Sequence, residues 1–169
     1  MGYIEELREI VGPRPLILVG SVVIILNERK EVLLQQRRFP NGSWGLPGGL
    51  MELAESTEET ARREVKEETN LTLGKLHLLN VYSGADQYIK AENGDEFYVV
   101  TTVYFTNDYD GEMKAEHSES IQLKFCNLEE LPHTIVRSHQ CMLNDYKQHL
   151  YIAKGEQRCK KEKYCTPEG

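Results

Sequence analysis

Two spacings of apolar residues divide the chain. Tyr3, Ile4, Leu7, Ile10 and Val11 recur every three or four positions, which predicts an amphipathic helix that Gly12-Pro13 stops. From Leu16 to Leu26 the pattern becomes one unbroken run, LILVGSVVIIL, whose β-branched residues predict a buried strand. NERK, Asn27 to Lys30, predicts a turn and EVLLQQR the strand returning from it, so the two read as a hairpin. Phe39 to Gly49 is punctuated by Pro40, Asn41-Gly42, Pro47 and Gly48-Gly49 and reads as loop.

Ser56 with Glu59 three positions on is a capping-box pattern, so a helix is expected from about Thr57 to Asn70, a residue that tolerates the left-handed conformation at a helix end. Leu73 to Tyr82, Phe97 to Phe105 and Ser120 to Phe125 read as strands. Between them lie a polar stretch, Asp86 to Asp95, with an Asn93-Gly94 turn, and a second turn at Asn107 to Gly111. Leu128 to Leu131 is a short acidic turn, and a last helix is expected from about Ser138 to Ala153. Strands interleaved with helices give an α/β (α+β) class with a mixed sheet packed between helices. The expected organisation is an N-terminal helix over 1-12, one domain over 13-153 and a polar, frayed tail over 154-169.

Composition narrows the partners. A chain of 169 residues, 40% hydrophobic and 28% charged, fits one soluble globular domain. The net charge of −7 argues against a nucleic acid polymer or an anionic membrane, both of which need a positive field. It leaves a nucleotide ligand open, because a divalent metal can supply the local positive charge. The longest apolar run is too short to span a bilayer. The acidic N-terminus is not a secretory signal, so the expected location is cytoplasmic. Cys126, Cys141, Cys159 and Cys165 form no C-x-x-C pair, and Cys159 and Cys165 read as thiols of the polar tail.

The chemistry concentrates in the helix after Ser56. Glu64, Glu67 and Glu68 stand at i, i+3 and i+4, so their carboxylates are expected on one side, with Ala61 and Val65 anchoring the other. Glu58 with Arg62 and Glu59 with Arg63 form favourable i,i+4 pairs, as an ordinary solvated face would. Glu64 and Glu68 argue the other way. Like charges at that spacing cost about 0.2–0.5 kcal/mol, and a cation between them reverses the sign. Hard oxygen ligands clustered in this way suit Mg²⁺ or Mn²⁺. Just upstream, Gly48-Gly49 lets backbone approach a ligand closely.

Read from Gly49, the stretch G-LMELA-E-STEETAR-RE-V-K-EE-T-N-L resembles the signature of the Nudix hydrolases. That signature is Gly, five residues, Glu, seven residues, Arg-Glu, an aliphatic, any residue, Glu-Glu, any residue, Gly, an aliphatic. Gly49, Glu55, Arg63, Glu64, Val65, Glu67, Glu68 and Leu71 match it, and Asn70 stands where the family has its final Gly. WGLPGG before it and LEELP after it extend the likeness over roughly Leu16 to Leu131. The resemblance implies a Nudix-type α/β/α sandwich with a mixed sheet. It also implies Mg²⁺-dependent (or Mn²⁺-dependent) hydrolysis of a nucleotide-derived small molecule, a nucleoside diphosphate linked to another moiety. ADP-ribose, a nucleotide sugar, a dinucleoside polyphosphate and a nucleoside triphosphate all fit. A regulatory module of the same fold that binds nucleotide without turnover is the other reading.

The resemblance also assigns expected roles. Glu64 and Glu68 are the main metal ligands, assisted by the Gly49 carbonyl and Glu67, while Glu55 closes back on the helix beside the metal or as a ligand. Arg63 orients a catalytic glutamate through a charge-assisted hydrogen bond. Glu64 and Glu67 join the catalytic set, and Glu119 in HSES, with Glu116 beside it, is the candidate general base. From their own positions, Arg37 and Arg38 at the end of the second strand read either as phosphate contacts or as an exposed sheet-edge pair, and Trp44 reads either as a loop-packing residue or as one that stacks on a base. In relatives a Pro downstream of the signature accompanies ADP-ribose cleavage and a Tyr accompanies dinucleoside polyphosphates; this chain has Tyr82 and Tyr88 there and no Pro. His77, His117, His133, His139 and His149 show no ligand spacing. The N-terminal helix is expected to cap the sheet, join a homodimer or cover the substrate.

Overall fold

A computed structural model of the chain describes residues 2–38, 42–91, 93–116 and 120–153. Helix α1 (Tyr3–Val11) leads to strand β1 (Leu16–Ile25), then β2 (Val32–Arg37), β3 (Trp44–Gly45) and β4 (Gly48–Leu50). Helix α2 (Thr57–Thr69) follows, then β5 (Thr72–Leu73) and β6 (His77–Tyr82), a short 3₁₀ turn at Ala85–Gln87, β7 (Tyr88–Lys90), β8 (Glu96–Thr106), β9 (Tyr109–Asp110), β10 (Ser120–Cys126) and helix α3 (Arg137–Ala153).

The long apolar run does not pair with the strand that follows it. β1 lies between β4, antiparallel to it, and β8, parallel to it, so both of its edges are taken. The expected hairpin is therefore corrected: only an isolated bridge from Leu26 to Val32 survives. β2 leaves for a second sheet, ordered β10-β2-β3. β6 and β7 both pair antiparallel with β8, which makes the main sheet mixed, as expected.

Three other expectations are adjusted. The strand expected over Leu73 to Tyr82 breaks at Gly74, whose N–H donates to the Asp108 carbonyl at 2.8 Å, so residues 72–73 pair with β9 instead. The polar stretch after Tyr82 contains a short strand, and the glycine-rich loop contains β3 and β4, each too short to leave a periodic signal. Phe39 to Asn41 lie outside the described residues, as do Cys159, Cys165 and the tail from 154.

The pleat of β1 separates two cores. Val22 and Ile24 join Leu34, Trp44, Leu46, Met142 and Leu143 on the α3 side. Val23 and Ile25 join Leu33, Ala61, Val65 and Leu71 on the α2 side. The result is the α/β/α sandwich. Helix α2 opens with a complete capping box, in which the Ser56 side chain accepts from the Glu59 N–H and the Glu59 carboxylate accepts from the Ser56 N–H. It closes at Asn70 in the left-handed conformation, φ 62°. Helix α1 buries no residue fully. It is tied down by polar contacts: Tyr3 N–H donates to Glu52 at 3.0 Å, and Arg8 donates to the Glu96 carbonyl at 2.9 Å. No helix among the described residues is long and apolar enough to cross a membrane.

Candidate active site

The buried residues of α2 include Ala61, Val65, Glu68 and Thr69. At about 100° per residue, Glu68, Glu64 and Glu67 step outward from the core stripe in that order. This corrects the expectation of one acidic side opposite Ala61 and Val65. Glu68 continues the core face, whereas the Glu67 side chain is 60% exposed.

Arg63 is the hub. Its Nε donates to Glu55 Oε1 at 2.6 Å, and its Nη2 donates to Glu55 Oε2 and to the Leu50 carbonyl, both at 3.0 Å. Its Nη1 donates to Glu64 Oε1 at 2.8 Å and to Glu67 Oε2 at 3.3 Å. All five guanidinium donors are thus used, three on the loop before the helix and two on the acids of the helix. Glu55 also accepts from the Glu52 N–H and the Thr60 hydroxyl, so its oxygens already receive four hydrogen bonds. The hydrogen bonds from Arg63, foremost, hold its carboxyl down to about 2. Glu55 closes back on the helix, where it anchors Arg63.

Glu68 is fixed from the other side. Gly48 N–H donates to its Oε2 at 2.8 Å. Burial pushes its pKa up to about 7, against the positive charge of Arg37 and hydrogen bonds from Gly48 and Gln35. The neighbouring Gly49 is pressed against Glu64: a Cβ there would lie 2.5 Å from the Glu64 carboxyl carbon. The two glycines let a strand run directly over two carboxylates.

Beside these groups a cavity of about 300 Å³ opens between the main sheet and α3. Gly48, Gly49, Arg37, Tyr88, Phe97 and His139 are among its walls. Arg37 is in its wall, and its Nε is buried with no hydrogen-bond partner among the described residues. Tyr88, 42% exposed, stands in the wall with its ring 5.3 Å from that of Tyr98. Among the other sequence candidates, Trp44, Arg38 and Tyr82 are not brought there. Trp44 is 8% exposed in the α3-side core, because β3 carries it inward. Arg38 is exposed and lies outside the cavity lining. The Tyr82 hydroxyl donates to Asp145 instead. Glu119 lies outside the described residues, while the Glu116 N–H donates to the Glu68 carbonyl at 3.2 Å, which brings Glu116 to the end of α2.

Two residues enter that spacing did not reveal. His139 is buried, its Nδ1 accepts the Leu46 N–H at 2.9 Å, and burial with the charge of Arg37 pushes its pKa down to about 3. Gln35 is 1% exposed in β2 and adjoins Glu68. The available signal for Gln35 was its alternation with Leu33 on the core-facing side of an apolar strand.

Among the described residues, no three acidic, histidine or cysteine groups converge closely enough to hold a metal ion as their side chains stand, and Arg63 draws Glu64 and Glu67 toward itself. The donor chemistry nonetheless suits a hard divalent cation, being entirely oxygen and packed against bare glycine backbone.

Fold and site together define an α/β/α sandwich whose signature helix joins arginine and glutamates to a glycine strand. The NUDIX domain family matches residues 17–146, and the chain belongs to the Nudix hydrolase family. It is 32% identical over 124 residues to the ADP-ribose pyrophosphatase of Methanocaldococcus jannaschii, covering 73% of this chain and 69% of that protein. It is 39% identical over 71 residues to the 8-oxo-dGDP phosphatase of Mus musculus, covering 41% of this chain and 22% of that one. The crystal structure of a MutT Nudix hydrolase from Burkholderia pseudomallei superposes with a TM-score of 0.66 at 30% identity, over 76% of this chain and 97% of that chain.

Proposed function

We propose that this protein hydrolyses a phosphoanhydride bond in a nucleoside diphosphate derivative, with Mg²⁺ or Mn²⁺ as cofactor. The observation that supports this reading is the Arg63 hub, which gathers Glu55, Glu64 and Glu67 where Gly49 approaches Glu64 beside an open cavity. Glu64, Glu67 and Glu68, with the Gly49 carbonyl, would hold the ion. When bound, the ion neutralises phosphate oxygens and acidifies a water. Arg63 keeps Glu64 and Glu67 aimed. Glu67, the most exposed of the three and held by the longest Arg63 contact, 3.3 Å, takes the proton of the attacking water. The Arg37 guanidinium meets a phosphate oxygen, and Tyr88 packs against the nucleoside in the cavity.

The archaeal relative supports ADP-ribose as substrate, and Tyr88 supports a dinucleoside polyphosphate. A panel of ADP-ribose, a nucleotide sugar, diadenosine tetraphosphate and 8-oxo-dGTP, assayed with Mg²⁺ or Mn²⁺, separates these. Glu68→Gln is expected to lower turnover by at least about 100-fold while the protein stays folded. Full activity with unchanged metal affinity would overturn the site; metal-dependent binding of the panel without turnover in the parent would show a binding module instead.

A further inference from the structure

His139 stands where a helix would ordinarily bury an apolar residue. It is 8% exposed and lies on the inner face of α3 with Met142 and Leu143, three and four positions on. It lines the cavity together with Val22, Phe97, Val99, Met142 and Arg37. Gly45 makes room for its ring, since a Cβ there would lie 2.8 Å from His139 Nδ1 and 3.3 Å from Arg37 Nε.

One hydrogen bond sets the state of that ring. The Leu46 N–H donates to Nδ1 at 2.9 Å, so Nδ1 carries no proton and the neutral ring holds its proton on Nε2. Burial and the charge of Arg37 oppose a second proton. Nε2–H is therefore a fixed donor. It makes no hydrogen bond among the described residues, yet it is not one of the sealed polar atoms left without a partner. Part of its surface stays open, and the space the side chain lines is the cavity.

Bracing Leu46 needs only an acceptor. The second ring nitrogen adds a donor in a largely buried position, which costs stability unless something accepts from it. The surroundings define what could. Val22, Phe97, Val99 and Met142 make walls that suit a flat, uncharged ring. A neutral N–H among them suits an uncharged acceptor, whereas anionic phosphate is met by the charge of Arg37.

We infer that His139 Nε2–H is a specificity-determining donor that hydrogen-bonds a ring nitrogen or carbonyl oxygen on the edge of the substrate's nucleobase. This rests on the nucleotide hydrolysis proposed above and assigns the group that reads the base.

The test combines two substitutions with altered bases. His139→Asn keeps an acceptor near the position of Nδ1 for Leu46 and stops short of the cavity. His139→Gln carries an amide near the position of Nε2 and gives up the Leu46 bond. With the best panel substrate, His139→Asn should raise KM about 10-fold while kcat changes less than about twofold, and His139→Gln should raise KM less. The parent is assayed with analogues whose base has one ring nitrogen replaced by C–H, or one carbonyl oxygen by hydrogen. One analogue should lose about 10-fold in kcat/KM on the parent and nothing further on His139→Asn. Additive losses for every analogue, or a parent-like KM in His139→Asn, overturn the inference and leave the hydrolysis reading intact. So does the reverse order, with His139→Gln impaired and His139→Asn parent-like, which marks a brace for Leu46 and nothing more. Where His139→Asn fails to fold, the parent series decides: uniform kcat/KM across the analogues overturns the inference. A parent that turns over no member of the panel overturns the reading beneath it, and the inference with it.

Discussion

At the scale of single residues, the paired glycines have opposite duties. A Cβ on Gly48 would lie far inside van der Waals contact with the Ser21 carbonyl oxygen, and its φ of 140° is strained for any L residue. Gly48→Ala is expected to destabilise by more than about 2 kcal/mol, read by denaturant titration. A Cβ on Gly49 first meets the end of the flexible Glu64 side chain, which can swing away. Gly49→Ala should change stability by less than about 1 kcal/mol yet lower turnover at least about 10-fold, since the displaced group is the carboxylate the site needs. Equal effects of the two substitutions on stability would contradict this division. His139 supplies a pH signature. Its folded pKa of about 3 lies below its ordinary 6.5, so below 6.5 the unfolded chain takes up a proton that the folded one refuses. That contribution to stability falls as pH drops from 6.5 toward 3. Glu68, raised to about 7, works with the opposite sign: its burial costs stability as pH rises from 4.5 to 7. Parent and His139→Gln compared at pH 6.5 and about pH 5 isolate the first effect, and the parent should lose on the order of 2 kcal/mol more than the variant.

At the scale of elements, α2 is the part whose sequence and structure agree most closely. Its capping box, its Asn70 stop and its core stripe through Ala61 and Val65 are local, and local patterns are readable from spacing. Asn70 holds φ 62° and donates from its side chain to the Glu112 carbonyl at 2.9 Å. Asn70→Ala is expected to cost about 1 kcal/mol by thermal unfolding, and Asn70→Gly less, because glycine tolerates that φ without strain. The hairpin expected after β1 failed for the converse reason. An apolar run shows that a strand is buried and says nothing about which strands flank it, and here β4 and β8 outcompete β2. The same limit hid the inward aim of Glu68, since one turn of helix places a residue on the core stripe or beside it according to small rotations set by packing.

At the scale of the whole molecule, the motif from Gly49 to Leu71 was legible because its partners lie within 23 residues, whereas the cavity was not. His139 reaches Leu46 from 93 positions away, and Gln35 reaches Ser120 across 85. No periodicity carries such distances. Trp44 was drawn inward by a two-residue strand that leaves no pattern. Helix α1 is held to this body by charge and hydrogen bonds more than by burial: Arg8 donates to the Gly12, Arg14 and Glu96 carbonyls and pairs with Asp95 at 3.5 Å. Arg8→Ala is expected to release residues 3–11 to fast amide exchange while protection in β1 and β8 stays unchanged; a concerted loss in all three would show α1 to be part of the cooperative core.

The parallel pairing of β1 with β8 also sets the order of assembly. Ten consecutive residue pairs join them, from Leu16 with Phe97 to Ile25 with Thr106. During synthesis, the first strand leaves the ribosome long before its partner exists, and β4 can cover only its other edge, over three residues. The central sheet is therefore expected to complete late, and the edge of β1 that β8 covers waits through that interval. Refolding of the purified chain should accordingly be slow for its size and lose yield as protein concentration rises, because a second chain can offer the waiting edge what its own has yet to deliver.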